Sequence, residues 1–147
     1  MAASSPPVVV AEVRDRAAMA RCWELRRKVF IEEQGVPEEI ELDEDDARAR
    51  HVLATVDGHA IGCGRMVPHG DAVKIGRMAV LADWRRRGVG RLILEALQEA
   101  ARAEGFRKAI LHAQLHAEEF YRKCGYEPLG EPFEEAGIAH RLMERRL

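Results

Sequence analysis

The run Arg85-Arg86-Arg87-Gly88-Val89-Gly90-Arg91 stands between a mostly apolar stretch, Val73 to Leu81, and an amphipathic one, Gly88 to Ala103. In the second stretch Val89, Leu92, Ile93, Ala96, Leu97 and Ala100 recur at helical spacing, and Gly105 supplies the stop. The order is therefore strand, glycine-bearing turn, helix. Such a turn suits an anion. Its glycines let the backbone come close, the first helical N–H groups have no intrahelical acceptor, and the helix dipole adds about half a positive charge there. Arg85, Arg86, Arg87 and Arg91 add forked donors. No Gly-Lys-Ser/Thr follows, so this is not a Walker loop, and the third glycine of a dinucleotide fingerprint is missing. On residue types alone, a solvated basic turn remains the competing reading.

Outward from the turn, Lys108 to Ala113 reads as a short strand and Leu115 to Lys123 as a helix stopped by Gly125. Pro128, Gly130, Pro132 and Gly137 then punctuate two short runs, which predicts a final antiparallel pair. Upstream, His51 to Val56 and Ala60 to Val67 are joined through Asp57-Gly58, a dipeptide that tolerates the positive φ of a tight hairpin turn. Val8 to Val13 has strand composition, and Asp15 is placed to cap a helix from Arg16 to Ile31. Met19, Trp23, Arg26 and Phe30 share one face of that helix, with Cys22, Leu25 and Val29 beside them, and Gly35 and Pro37 break it. The alternation of strands and helices predicts an α/β layer with a mixed sheet. Residues 7–147 form one domain in this reading, and Met1 to Pro6 form a flexible tail.

The chain has 147 residues, with 23 Lys plus Arg against 25 Asp plus Glu and a formal charge of −2. Hydrophobic residues at 47% and charged residues at 33% exclude a disordered or low-complexity chain. So balanced a charge argues against nucleic-acid and membrane partners. Cys22, Cys63 and Cys124 are odd in number, widely spaced and free of any CxxC pair, which fits neither a disulfide framework nor a zinc site. No apolar run reaches the ~18 to 20 residues of a membrane span, and Met1 to Pro7 lacks the layout of a signal peptide. A cytoplasmic protein is expected. His112 and His116 are four apart, but one reads as strand and the other as helix, so no metal is expected.

Arg85-x-x-Gly88-x-Gly90 after Met78-Ala79-Val80 resembles motif A of the GNAT superfamily of acyl-CoA N-acyltransferases. Downstream, Gln114-Leu-His-Ala117-Glu-Glu-Phe120-Tyr121, followed by Gly125-Tyr126, is similar to the family's Asn-x-x-Ala-x-x-Phe-Tyr segment. Phe30-Ile-Glu-Glu33-Gln34, Lys74-Ile-Gly-Arg77, His112-Ala-Gln114 and Phe133-Glu-Glu-Ala-Gly137-Ile-Ala-His140 resemble the ElaA-like branch. The resemblance runs from about Val10 to Met143. It implies a mostly antiparallel six- to seven-stranded sheet with helices on both faces, splayed between the strands at 73–81 and 108–113.

The resemblance also implies chemistry: transfer of an acetyl group from acetyl-CoA to a primary amine by direct attack. The amides of Arg86, Arg87, Gly88, Val89, Gly90 and Arg91, with Arg85, would hold the pyrophosphate of coenzyme A. The edge formed by Met78, Ala79 and Val80 would pair with the pantetheine arm, and an N–H there would donate to the thioester oxygen as negative charge grows on it. Gln114 replaces the usual Asn and would also touch the arm. Tyr121 is the expected proton donor to the departing thiolate. The strand position where some relatives carry a catalytic glutamate falls on Lys74. Glu33 and His112 are the substitute bases, His140 is third, and Gln34 and His140 are assigned to acceptor binding. Nine carboxylates and no base occupy residues 32–47, and the cluster Glu38, Glu39, Glu41, Asp43, Glu44, Asp45 and Asp46 would steer a cationic amine. No cysteine lies in a motif that points to an acyl-enzyme. The competing readings are a non-catalytic acyl-CoA binding or sensing module and, third, a small nucleotide-binding protein. The unmatched edge of the final strand pair leaves room for a homodimer.

Overall fold

A computed structural model describes residues 6–38 and 43–147 of the protein. Its strands are β1 (Val9–Glu12), β2 (Arg50–Val56), β3 (His59–His69), β4 (Ala72–Val80), β5 (Lys108–Gln114), β6 (Glu127–Glu135) and β7 (Ile138–Arg146). They form one sheet in the order β1-β2-β3-β4-β5-β7-β6. All neighbours are antiparallel except β4 and β5. The helices are α1 (Arg16–Arg26), α2 (Val89–Ala103) and α3 (Glu118–Lys123), the last entered through a 3₁₀ turn, Leu115–Ala117. The expected mixed α/β architecture is present. Among the described residues, no helix is long and apolar enough to cross a membrane.

Asp15 caps α1 as expected, its carboxylate accepting from the Ala18 amide at 2.8 Å. The helix does not stay α-helical to Ile31: from Arg27 to Glu33 it widens into a π-helix. Of the expected face Arg26 is buried and Met19 and Phe30 are half-buried, with Cys22, Leu25 and Val29 buried beside them, but Trp23 is exposed. Arg26 meets Asp46 at 2.8 Å.

The sheet is covered on both faces. Ile93, Leu94, Leu97 and Ala101 of α2 pack with Val52, Ile75, Leu111 and Met143, while Cys22, Leu25 and Val29 pack with Leu53, Cys63 and Ala79. Alternation along β2 sends Val52 and Ala54 to one side and Leu53 to the other. Helix α2 lies unusually close to β3 because Gly62 and Gly64 face it. A Cβ on either would sit 2.9 or 2.8 Å from Ile93.

Two irregularities of β4 open one end of the sheet. β4 and β5 pair only from Val73–Ile75 to Ala109–Leu111 and then separate. On its other side β4 slips register against β3 between Cys63 and Arg65, and Arg77 takes a positive φ of 50° there. The Asp57-Gly58 hairpin forms as read, joining Val56 to His59, with both turn residues at positive φ. The last two strands are longer than the short runs expected, with Gly130 and Pro132 inside the register shift between Leu129 and Phe133. β6 lies at the sheet edge. Of the expected tail, residues 1–5 lie outside the described residues.

Candidate active site

Where β4 and β5 part, two backbone edges face each other unpaired: 76–80 on β4 and 112–114 on β5. Each strand is paired on its far side, β4 with β3 and β5 with β7. The Leu81 amide bonds to Ile61 O on the β3 side. Alternation therefore turns the N–H and C=O of Met78 and Val80 toward the gap. Arg85 Nε donates to the Val80 carbonyl at 2.9 Å. The remaining groups suit an extended, amide-bearing arm laid along the strand, because buried backbone polar groups require partners.

The gap leads to the arginine-glycine turn. Arg86 and Gly88 adopt positive φ, 62° and 81°, which curls the backbone before α2 begins at Val89. Gly88 caps α2 without any side-chain bond, and Leu92 is the first amide to reach back, to Gly88 O at 3.2 Å. The amides of Val89, Gly90 and Arg91 ahead of it have no turn below them to bond. Gly90 has a second duty: a Cβ there would lie 3.3 Å from the Phe120 ring. Arg87 rests 5.0 Å over Trp84, and Arg91 reaches Lys123 O at 3.3 Å. This cradle of open amides, positive helix end and arginines fits a diphosphate.

Tyr121 stands across the gap from β4, its hydroxyl 3.7 Å from Met78 Sδ. Phe120 and Tyr126 flank it edge-on, with ring centroids at 5.0 and 5.9 Å. Burial pushes its phenol up to about 12, so the group stays protonated at neutral pH and can donate.

Glu33 and Arg85, expected as base and phosphate ligand, are brought together and paired with each other. Arg85 Nη1 and Nη2 donate to the two Glu33 oxygens at 2.7 and 2.9 Å. Those bonds hold the Glu33 carboxyl below its usual range. A carboxylate so engaged is a poor proton acceptor, and Arg85 is committed to the Val80 carbonyl of β4 and to Glu33 at the end of the first helix. Gln34 and Gln114 also meet, Gln114 Nε2 donating to Gln34 Oε1 at 3.0 Å. This pair ties the end of the first helix to the open end of β5.

His112 and His140 gather with two residues to which the sequence had suggested no role, Phe133 and Glu135. His112 Nδ1 lies 3.0 Å from Glu135 Oε1, and His140 Nε2 lies 3.8 Å from Glu135 Oε2. Phe133 meets the His112 ring edge-on at 5.0 Å and stacks near His140 at 6.1 Å. The bond from His112 is the main reason the Glu135 carboxyl lies below its usual range, with Lys74 and His140 adding to it against burial. A usable signal existed: Ala136-Gly137 is a two-residue turn, and counting outward from it pairs Glu135 with Ile138 and Phe133 with His140.

The acidic cluster proves largely structural. Arg65 binds Asp43 and Asp46, each at 2.7 Å. Arg26 binds Asp46, Arg77 binds Asp43 at 2.9 Å, Arg48 binds Asp45, and Arg27 binds Glu38. Carboxylates already neutralised by arginines cannot steer an amine strongly. Glu39 and Glu41 lie outside the described residues. Among the described residues, no group of three or more His, Cys, Asp or Glu side chains is placed to hold a metal ion.

Residues 10–147 match the family described as "Acetyltransferase (GNAT) domain". The chain is 39% identical to the Bacillus subtilis N-acetyltransferase YjcF over 81% of its own length and 86% of that protein. Among solved structures, Escherichia coli ElaA is similar at a TM-score of 0.83 and 26% identity, covering 95% of this chain and 99% of that one. An acyl-CoA N-acyltransferase from Pseudomonas aeruginosa is similar at 0.81 and 26%, covering 96% and 99%.

Proposed function

This chain belongs to the GNAT acetyltransferase family and is an acyl-CoA N-acyltransferase; from that premise we propose that it moves an acetyl group from acetyl-CoA to a primary amine by direct attack in a ternary complex. The observation that carries the reading is the unpaired edges of β4 and β5 together with the open amides of the turn, which Arg85 joins to the β4 edge through its bond to Val80 O. In this reading the amides of residues 86–91, with Arg86, Arg87 and Arg91, hold the pyrophosphate. Met78 and Val80 bond the pantetheine arm, with Gln114 beside it. When bound, acetyl-CoA supplies an activated thioester.

The Met78 amide donates to the thioester oxygen as its charge grows, and Tyr121 donates toward the sulfur as the carbon–sulfur bond breaks. Gly88 and Gly90 keep the turn open for the phosphates. An acceptor amine enters on the face that carries His112, and the protein works in the cytoplasm.

Calorimetric titration with acetyl-CoA and with free CoA tests the reading beside a Gly88→Glu variant. Binding by the native protein and its loss in the variant is the expected result, followed by thiol release across a panel of primary amines. No binding by the native protein would overturn it.

A further inference from the structure

We infer that Glu135 is a positioning residue for acyl transfer, holding His112 in the tautomer that leaves Nε2 free to take the proton of the acceptor ammonium. This role rests on the acetyltransferase reading above. A carboxylate only accepts hydrogen bonds, so the 3.0 Å contact requires the proton of neutral His112 to sit on Nδ1. The lone pair is then on Nε2. Without that carboxylate the ring is free to carry its proton on Nε2 instead, and in that form it has no base to offer there.

The neighbourhood supports the assignment. His112 lies on the stretch of β5 whose edge toward β4 is unpaired. The pairing of β5 with β7 places Gln114 opposite His140, on the same face of the sheet as His112. His140 is the weaker candidate. Its Nδ1 donates to Ile138 O at 2.7 Å, and its side chain is 8% exposed against 25% for His112. Glu33 is excluded by its pairing with Arg85. Glu135 from β6 is the charged group in contact with His112, and the Glu135 carboxylate in turn feels Lys74 from β4 and His140 from β7. The Ala136-Gly137 turn fixes the Glu135 backbone opposite Ile138, and the carboxylate, 43% exposed, is placed by its contact with His112 at 3.0 Å.

Atoms and protons balance. An acceptor ammonium gives one proton to His112 Nε2, and the resulting imidazolium is stabilised by Glu135. The free amine nitrogen bonds to the acetyl carbon as the carbon–sulfur bond breaks. Of the two protons the nitrogen sheds, one ends on the thiol and the other passes to solvent, giving an amide, a thiol and one proton.

Long-range proton–nitrogen NMR of the ¹⁵N-labelled protein without ligand reads the tautomer directly, with His112→Asn assigning the signals. The expected result is an Nδ1–H ring in the native protein that shifts toward Nε2–H in Glu135→Ala. With an amine found by the thiol-release panel, Glu135→Gln should lower kcat about 10²-fold while KM for acetyl-CoA holds, and Glu135→Asp should restore part of the loss. An Nε2–H ring in the native protein, an unchanged tautomer in Glu135→Ala, or equal kcat in Glu135→Gln would overturn the inference. The NMR result is independent of coenzyme binding, so failure of the acetyltransferase reading would show separately, as absent binding of acetyl-CoA.

Discussion

Arg85 grips Glu33 with both terminal nitrogens, at 2.7 and 2.9 Å, across the space between the first helix and the arginine-glycine turn. Both side chains are partly exposed, at 39% and 44%, and exposed pairs contribute about 0 to 1 kcal/mol. Glu33→Gln should therefore change acetyl-CoA affinity by less than about tenfold and leave the shape of the pH–rate profile intact. A loss of turnover of about 10²-fold with a displaced acid limb would restore Glu33 as the base.

Tyr121 is held against Met78 with its phenol protonated. Tyr121→Phe keeps the ring and removes the donor. Turnover should fall by about 10²-fold or more, with calorimetric affinity for acetyl-CoA nearly unchanged. Equal kcat in the two proteins would remove the residue from the mechanism.

Gly64 lies under α2 with room for hydrogen only. A Cβ there would meet Ile93 Cγ2 at 2.8 Å and Leu97 Cδ1 at 3.1 Å. Gly64→Ala should destabilise by about 1 to 3 kcal/mol through overpacking, read as a lower urea midpoint. Unchanged stability would mean that α2 can ride outward freely.

Stability should decline with falling pH in two separate ranges. Burial, its main cause, holds the His51 pKa below the usual value despite the Nε2 bond to Asp46 O at 2.9 Å. The unfolded chain thus binds the extra proton first, and the stability attached to neutral His51 is lost as pH falls below about 6.5. Asp43 lies below its usual range mainly through the Arg65 hydrogen bond. For Asp46 burial is the largest influence and pushes upward, but Arg26 and Arg65 outweigh it. Their contribution is full above the unfolded value of about 3.9 and disappears as pH falls through the depressed folded values. Urea midpoints measured against pH should show both declines, and His51→Gln should abolish the first.

The turn, the hairpin and the final strand pair were legible because each is written in neighbouring residues. Asp57-Gly58 supplies two positive-φ positions in succession, and Arg85 to Arg91 place glycines at the mouth of an amphipathic helix. Tyr121 was legible through resemblance, and the fold sets it against Met78. The first helix was only partly legible: spacing puts Trp23 and Arg26 on one face, but that Trp23 is exposed and Arg26 buried is a tertiary outcome, Arg26 being paired with Asp46, twenty residues away.

By itself the sequence determined the order of elements and the anion-seeking character of the turn, since both follow from local periodicity and backbone freedom. Only the tertiary structure decided which charges neutralise one another. Glu33 with Arg85, Asp43 and Asp46 with Arg65, and Glu135 with His112 are pairs whose members lie on different elements. A carboxylate's chemistry depends on which cation or imidazole stands within about 4 Å of it, and sequence spacing does not encode that distance once the chain has folded back across a sheet.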